Sequence, residues 1–268
     1  MVSRTDTEEP SFATVPATMS PRARKTLYAA HRWIGLAVSV QLLAWSVGGF
    51  MFSVLALDDV HGDRERRRGE VLPIEGCDLV VSASEAIDRA RQAGVAPPVR
   101  VVLGRRLGRI VYETYDDDGE ATAVVDAGTG EVTLRISNDE AVQAARADFA
   151  PEAAVRSVRL VTADPPIEYR GKPLPAYEVI FDHPKEPHLF VSAVTGEILA
   201  RRNRPWRLFD FFYMLHVMDY RQREDFNHWL LTLFSALAVL TAASGLSLHV
   251  WRLVLGRARR NSLPPRRA

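Results

Sequence analysis

The sequence predicts an α+β fold in which small antiparallel sheets, each with one helix, lie between two membrane-spanning helices. Two apolar runs, residues 34–57 and 229–251, contain no Asp, Glu, Lys or Arg. Each is longer than the roughly 20 residues that cross a bilayer core. Between the runs, two sets of residues recur at constant offsets, which is typical of a repeated supersecondary unit. Each copy has a helical pattern followed by alternating strands, and this order predicts α+β units.

The flanks of the apolar runs indicate two retained spans rather than a cleaved leader. Trp33, Trp229 and Trp251 mark the ends of the runs, as interfacial anchors do. The first run exceeds the roughly 7–15-residue core of a signal peptide and follows a long polar segment. Basic residues precede the first run and follow the second, which places both termini in the cytoplasm. We therefore expect a two-pass protein of the cytoplasmic (inner) membrane with an extracytoplasmic, periplasmic central domain.

Composition excludes some classes of function. The net charge is +1, so no bulk positive charge indicates a nucleic-acid partner. Cys77 is the only cysteine, so no disulfide can form within the chain, and a free thiol or a pairing between chains both remain open. Motifs of zinc proteases, c-type haem and phosphate loops are absent. The lipid bilayer is the partner that composition itself indicates.

The repeat predicts the elements of the central region. The set that begins at Ser82 recurs at Ser137, an offset of 55, and the Thr-Gly-Glu at 129–131 recurs at 195–197, an offset of 66. The second copy therefore contains an 11-residue insertion, which we place within residues 163–175. Ser82 and Ser137 each have Glu three residues later, the spacing of a capping box. The predicted helices are 83–92 and 139–147; the predicted strands are 99–103, 110–115, 121–126, 155–161, 177–181 and 188–194.

The predicted organisation has eight segments. They are a disordered cytoplasmic tail (1–25), a first membrane helix (26–57), a juxtamembrane linker (58–80), unit 1 (81–135), unit 2 (136–203), an interfacial helix and elbow (204–226), a second membrane helix (227–254) and a basic cytoplasmic tail (255–268). The basic run at 64–68 is interpreted as a solvated juxtamembrane segment. The loop at 182–188, with two histidines and two acidic residues, is also interpreted as solvated in preference to a metal site.

Motifs at both membrane helices carry a family resemblance. Residues 31–36 are HRWIGL, residues 215–220 are LHVMDY, residues 225–228 are DFNH, and both repeats end in a Thr-Gly-Glu turn. Over residues 26–254 the chain resembles PepSY-domain proteins with associated membrane helices. The resemblance implies two roles. Four-span relatives include inner-membrane reductases of ferric siderophores with b-type haem on membrane histidines, and PepSY units in peptidase propeptides inhibit or chaperone the peptidase.

The inner ends of the two membrane helices carry a mirrored pair of motifs. His31 lies one turn before Gly35, and Gly245 lies one turn before His249, so antiparallel helices bring the histidines to one depth. We interpret His31 and His249 as axial ligands of a b-type haem, with Gly35 and Gly245 leaving room for the ring. The alternative is a helix-packing seam of small residues. Two helices enclose a porphyrin poorly, so haem would require a homodimer or a membrane partner protein.

A second pair of histidines lies near the outer face. His216 and His228 are interpreted as candidate ligands of an outer haem. The alternative is a hydrogen-bonded elbow into the second span, with Asp219, Asp225 and Asn227. The leading functional hypothesis is transmembrane electron transfer through b-type haem that serves acquisition of iron, as a ferric siderophore, or of another metal, with quinol or another protein as the donor. The other is a non-enzymatic PepSY module that binds a periplasmic peptidase or a transporter.

Overall fold

The computed structural model describes residues 21–67 and 79–261. Cys77 and much of the predicted linker lie outside these residues. The helices are α1 (Pro21–Val54), α2 (Leu57–His61), α3 (Ala83–Gln92), α4 (Asn138–Asp148), α5 (Arg204–Val217) and α6 (Trp229–Asn261). The strands are β1 (Arg100–Arg106), β2 (Arg109–Tyr115), β3 (Ala121–Asp126), β4 (Val132–Thr133), β5 (Val155–Val161), β6 (Ala176–Phe181), β7 (His188–Ser192) and β8 (Ile198–Arg202).

The helices at the two ends of the chain differ from the prediction of two spans. The chain forms two compact units: one contains α1 as far as Ala44 together with α6, and the other runs from Trp45 to His228. Within the described residues, length and composition identify one candidate membrane span, Arg32–Val54. Within the same described residues, the apolar part of α6, Trp229–Ala243, is shorter than a candidate membrane span. One candidate anchor is therefore present, and the second span stays a prediction.

Repeat 1, residues 81–133, is a four-stranded antiparallel meander with α3 on one face. The strand order is β1-β2-β3-β4. The α3 face buries Ala86 and Ala90 against Tyr112, Ala123 and Val125. Small alanines on the helix allow it to lie close to the sheet, so that the pair forms a dense core. The α+β prediction is confirmed for this copy.

Repeat 2, residues 136–202, has the same plan. Its strand order is β5-β6-β7-β8, and α4 packs its alanines against Tyr177, Val179 and Val191. The first two strands of repeat 1 are joined by Leu107 and Gly108 alone, whereas residues 162–175 join those of repeat 2. The predicted insertion is therefore located between β5 and β6. Strands β4 and β8, one at the end of each sheet, were not predicted.

Each repeat fastens its helix to its sheet through a buried tyrosine. The Tyr112 hydroxyl donates to the Val81 carbonyl at 3.0 Å, and the Tyr177 hydroxyl donates to the Ile136 carbonyl at 2.8 Å. Val81 and Ile136 are the residues directly before the serines that begin the helices. This bond satisfies a carbonyl at the point where the chain changes direction. The two tyrosines are 65 residues apart. This spacing matches neither the offset of 55 nor that of 66, so the sequence repeat did not predict that they are equivalent.

The serine caps are confirmed, but the two copies use their glutamates differently. Ser137 accepts from the Glu140 N–H, and the Glu140 carboxylate accepts from the Ser137 N–H at 2.9 Å. Hydrogen bonds from Ser137 lead the interactions that lower the pKa of Glu140. In repeat 1, Ser82 accepts from the Glu85 N–H, but the Glu85 carboxylate pairs with Arg89 at 2.7 Å. The reciprocal capping box is therefore present in repeat 2, and repeat 1 has a one-way cap.

We expect Ser137→Ala to lower the free energy of unfolding by about 1–2 kcal/mol and Ser82→Ala by about 1 kcal/mol or less. Ser137→Ala removes a cap and also the hydroxyl that donates to Glu140 at 3.0 Å. Urea titration of the detergent-solubilised protein measures both variants. Equal losses would contradict the difference between the two caps.

Candidate functional site

The inner histidines and glycines of the sequence analysis lie in the unit formed by α1 and α6. His31 and Gly35 lie in α1, and Gly245 and His249 lie in α6. The His249 side chain is exposed, and the His31 side chain lies outside the described part of the structure. A methyl group added at Gly35 or at Gly245 would meet no atom within 4 Å, local helix backbone aside. Among the described residues, both glycines have open space beside them.

The outer end of α1 packs on α5 through a different helical face. The Trp45 indole N–H donates to the His216 carbonyl at 2.9 Å, and the Phe52 and Phe209 rings lie 4.7 Å apart. Between them Gly48 is buried, and a Cβ there would lie 3.7 Å from the Phe212 carbonyl. The exposed His216 ring lies about 6 Å from both the Trp45 and the Phe52 ring. Aromatic packing thus joins α5 to the end of the candidate anchor.

The segment after α5 forms a compact elbow. Met218 ends the helix with φ of 58°, and the Asp219 carboxylate accepts from four backbone N–H groups, at residues 221, 222, 224 and 225. Burial opposes the charge of Asp219, but these N–H groups outweigh it and hold its pKa well below the ordinary carboxyl value. The His228 Nε2 lies 2.8 Å from the Val217 carbonyl. A carbonyl only accepts, so Nε2 carries the proton in this contact.

We expect Asp219→Ala to speed hydrogen exchange at the amides of residues 221, 222, 224 and 225 by about fivefold, because each loses an acceptor worth roughly 1 kcal/mol. Since the pKa of Asp219 is lowered, its stabilisation is fully present above the ordinary value near 3.9 and is lost as pH falls through the lowered pKa. The wild-type elbow should therefore remain protected from pH 7 down to about 5. Asp225→Ala is the control, because Asp225 accepts from the Asn227 N–H. Equal effects of both variants across the elbow would contradict this account.

The insertion of repeat 2 is joined to α5 and the elbow by charged groups. Asp210 of α5 is buried, and it pairs with Arg170 of the insertion at 2.7 Å and with Arg223 of the elbow. Arg207 of α5 donates to both carboxylate oxygens of Glu168, at 2.6 and 3.1 Å. These pairs join the insertion to α5 and to the elbow that follows it. We call Arg170, Asp210 and Arg223 the elbow triad.

The insertion also covers the sheet face that α4 leaves open. Tyr169 is fully buried and stacks on Phe190 of β7 with ring centroids 4.4 Å apart. Arg202 of β8 lies over the Trp206 ring at 4.3 Å, and burial, ahead of the nearby Arg170 charge, lowers the pKa of Arg202. Repeat 1 has no corresponding insertion. The two copies therefore differ in which sheet surface each presents.

The chain after α1 docks on repeat 2 instead of forming a solvated linker. Lys185 pairs with Asp59 of α2 at 3.1 Å and with Glu65. The Asn203 amide donates to the Asp59 carbonyl at 2.7 Å. The side chains of Arg64 and Arg66 are exposed as predicted, but the backbone at Arg66 bridges to Phe149. Residues 57–67 thus attach the candidate anchor to repeat 2.

A basic cleft lies where the two repeats meet the segment after α1. It has a volume of about 540 Å³ and includes the tip of the β1–β2 hairpin, the end of α4 and the turn before β8. Its charged lining contains two acidic residues, Asp148 and Glu197, and five basic residues: Arg66, Arg67, Arg105, Arg106 and Arg201. The cleft is therefore positively charged. Arg201 binds both oxygens of Asp148, and Arg106 pairs with the buried Glu113 at 2.6 Å.

The loop at 182–188 holds no metal-type cluster. Among residues 21–67 and 79–261, no group of three or more His, Cys, Asp or Glu side chains is arranged to hold a metal ion. His188 begins β7, and its Nδ1 lies 3.0 Å from the buried carboxylate of Glu178. The hydrogen bond with His188 is the largest of the effects that lower the pKa of Glu178. Burial raises this pKa, and the bond to Arg159 lowers it further. His188 therefore has a structural partner on the adjacent strand.

Comparison with known families agrees with the two repeats. The chain matches the family described as PepSY, the peptidase propeptide and YPEB domain, at residues 80–134 and again at 135–202. It is a PepSY domain protein. No curated protein and no solved structure matches the chain significantly. The two matched ranges coincide with repeat 1 and repeat 2, which are hereafter PepSY1 and PepSY2.

The haem assignment of His31, His249, His216 and His228 stays a prediction. In the elbow, the Nε2 proton of His228 is directed at the Val217 carbonyl, and His216 lies on α5 beside aromatic rings. The hydrogen-bonded elbow is thus present at His228. A backbone carbonyl is also the usual partner of the second ring nitrogen of a metal-binding histidine, so this contact is compatible with either assignment. No step of the proposals below depends on haem.

The elbow triad and the cleft were not predicted. Asp210 interrupts the apolar stretch of the predicted interfacial helix, and a carboxylate in such a place indicates a buried partner. Its partners are 40 and 13 residues away. Nothing in the local pattern identifies them. The cleft is assembled from four separate segments, and no sequence spacing predicts it.

Proposed function

We propose that this PepSY domain protein is a membrane-anchored binding module whose PepSY pair docks a partner protein. The observation that supports it most is the double attachment of PepSY2 to the anchor, through Lys185 with Asp59 and through the elbow triad. The two surfaces of PepSY2 that form these attachments are covered, so a partner cannot bind there. Within residues 21–67 and 79–261 no such attachment joins PepSY1 to the anchor, and Val99 and Val102 at its outer strand are exposed. PepSY1 is thus positioned to meet a partner while PepSY2 holds it at the membrane.

The experiment is site-specific photocrosslinking in cells that express the full chain. A benzoyl-phenylalanine replaces Val102 of PepSY1 or, as a control at a more exposed position, Val239 of α6. We expect a discrete crosslinked protein from position 102 that is absent at 239 and is unchanged by His31→Ala with His249→Ala. A crosslink that is lost with these histidine changes, or no crosslink from PepSY1, would overturn the proposal.

We propose the topology predicted by the sequence, with two spans, both termini in the cytoplasm and the PepSY pair outside. Exposed apolar side chains along α1 and α6 support it, for example Leu43 and Leu240. In a Cys77→Ser background, an impermeant maleimide added to intact spheroplasts should label a cysteine at exposed Asp118 and not one at exposed Arg22. Labelling at both positions, or at Arg22 alone, would contradict the topology.

Electron transfer through a b-type haem, linked to iron or siderophore reduction, is the second candidate. One observation favours it: the open space beside Gly35 and Gly245, next to exposed His249. A bound haem would supply one-electron chemistry there, and the two glycines would admit its ring. A reduced-minus-oxidised absorption spectrum of the purified protein tests this candidate. A haem band that His249→Ala removes would support it, and a spectrum without any such band would exclude it.

A further inference from the structure

The outer strand of PepSY1 is the one sheet edge that the described structure leaves open along a full strand. Four strands lie at sheet edges: β1, β4, β5 and β8. Strand β4 has two residues, and β8 contacts α2 and α4. Strand β5 is interrupted by a bulge between Val155 and Ser157 and carries exposed Arg156 and Arg159. Bulges and charges of this kind prevent pairing with another strand.

Strand β1 has no bulge against β2, and its arginines lie at its two ends and leave its centre uncharged. Its register with β2 is continuous over seven residues, and its centre is the apolar sequence Val101 to Gly104. The hairpin that follows is a two-residue turn in which Leu107 and Gly108 both have positive φ, 47° and 82°. In such a type I′ hairpin the flanking residues, Arg106 and Arg109, exchange both backbone bonds. Alternate residues therefore direct their N–H and C=O groups away from β2, at 101, 103 and 105.

The charges along this edge select the kind of strand that would pair with it. Arg100 lies at the start of β1, and Arg105 and Arg106 lie at its end. Antiparallel pairing with a second copy would bring arginines opposite arginines, which is destabilising. A strand with an apolar centre and acidic ends has the complementary pattern. One end of such a strand, at the hairpin tip, would reach the basic cleft, because Arg105 and Arg106 belong to both features.

We propose that β1 of PepSY1 binds an extended peptide segment with an apolar centre and acidic ends, which adds a fifth strand to the sheet and places one acidic end in the basic cleft. Backbone hydrogen bonds to 101 and 103 supply affinity, and the arginines of the cleft supply specificity for acidic residues. The inference rests on the proposed function and names the chemistry of the partner.

The test uses the full-length protein in detergent and a fluorescent synthetic peptide, Glu-Glu-Val-Thr-Val-Thr-Val-Glu-Glu, followed by anisotropy. Two further peptides are N-methylated at alternate residues, one at odd and one at even positions. Because an added strand uses the N–H groups of one alternate set, we expect one methylated peptide to bind at least tenfold more weakly and the other to bind like the parent. Equal behaviour of the two methylated peptides, or no binding of the parent peptide, would overturn the proposal.

Charge reversal on the protein gives a second measurement. Arg105→Glu should weaken binding of the parent peptide about tenfold, whereas Arg91→Glu, the same change at an exposed position on α3, should have little effect. A peptide with lysines in place of its glutamates should bind far more weakly to the wild type. Failure here is distinguishable from failure of the proposed function: a persisting crosslink at position 102 without peptide binding would refute the strand-addition inference and leave the docking role standing.

Discussion

Replacing Asp210 by alanine is expected to destabilise the protein by about 3–5 kcal/mol, the cost of removing one partner from a buried ion pair. Asp210 is 4% exposed and serves two guanidinium groups, those of Arg170 and Arg223. Its removal takes the buried carboxylate from two largely buried cations and leaves Arg170 with the exposed carboxylate of Glu224. The repulsion between them adds to the loss of hydrogen bonds, so the insertion, α5 and the elbow should separate. Urea titration of the detergent-solubilised chain measures the loss.

Two further variants show whether burial is responsible for this effect. Glu224→Ala removes a carboxylate that lies 3.7 Å from the same Arg170 but is more than half exposed. An exposed pair of this kind contributes about 1 kcal/mol or less. Asp210→Asn keeps an acceptor and removes the charge, so it should fall between the two. A similar loss for Asp210→Ala and Glu224→Ala would contradict a buried triad.

Tyr169→Ala is expected to cost about 3–5 kcal/mol, because truncation of a fully buried aromatic side chain leaves a cavity. The ring stacks on Phe190, and the hydroxyl donates to the Pro173 carbonyl at 2.6 Å. The ring supplies most of the packing between the insertion and the sheet of PepSY2. Without it, the second face of that sheet is exposed to water. Unfolding by urea and protection of the β7 amides from exchange both report the change.

Tyr169→Phe separates the ring from the hydroxyl. It keeps the stack and removes one hydrogen bond, so about 1 kcal/mol is expected. Tyr220→Ala is the surface control, since that side chain is 53% exposed. A loss for Tyr169→Phe as large as for Tyr169→Ala would show that the bond to Pro173, and not the packing, holds the insertion in place. Because Tyr169 and Arg170 are neighbours, Tyr169→Ala and Asp210→Ala should not be additive.

The strand and helix positions of both PepSY domains were largely predictable because they depend on nearby residues. Ser82 and Ser137 begin helices because a hydroxyl accepts from an N–H three residues later, within one turn. Gly130 and Gly196 adopt φ of 74° and 73° in the predicted turns, where a side chain would be strained. The two strands that were missed, β4 and β8, follow those turns directly. Each is so short that its alternation of inward and outward side chains is recognised only when the neighbouring strand is known.

The candidate sites were far less predictable. Histidines were chosen for their spacing along two helices, and that spacing says nothing about what each ring meets. His188 was predicted to begin a strand, which is confirmed, and was also grouped with a solvated loop. Its ring instead contacts a carboxylate ten residues earlier in the chain. The residues after α1 were expected to be a solvated linker, yet Asp59 and Glu65 meet a lysine more than a hundred residues away.

The sequence by itself determined the duplication, the helix caps, the turns and the first apolar helix, because each depends on periodicity or on hydrogen bonds between near neighbours. Only the tertiary structure decided which sheet faces and edges each of the two copies leaves exposed. The insertion closes one face of PepSY2 because Tyr169 reaches Phe190, and the elbow triad fixes that arrangement. The edge of PepSY1 stays open because no described segment pairs with β1 beyond β2. Which edges and charges remain accessible depends on distant contacts, which local spacing does not encode.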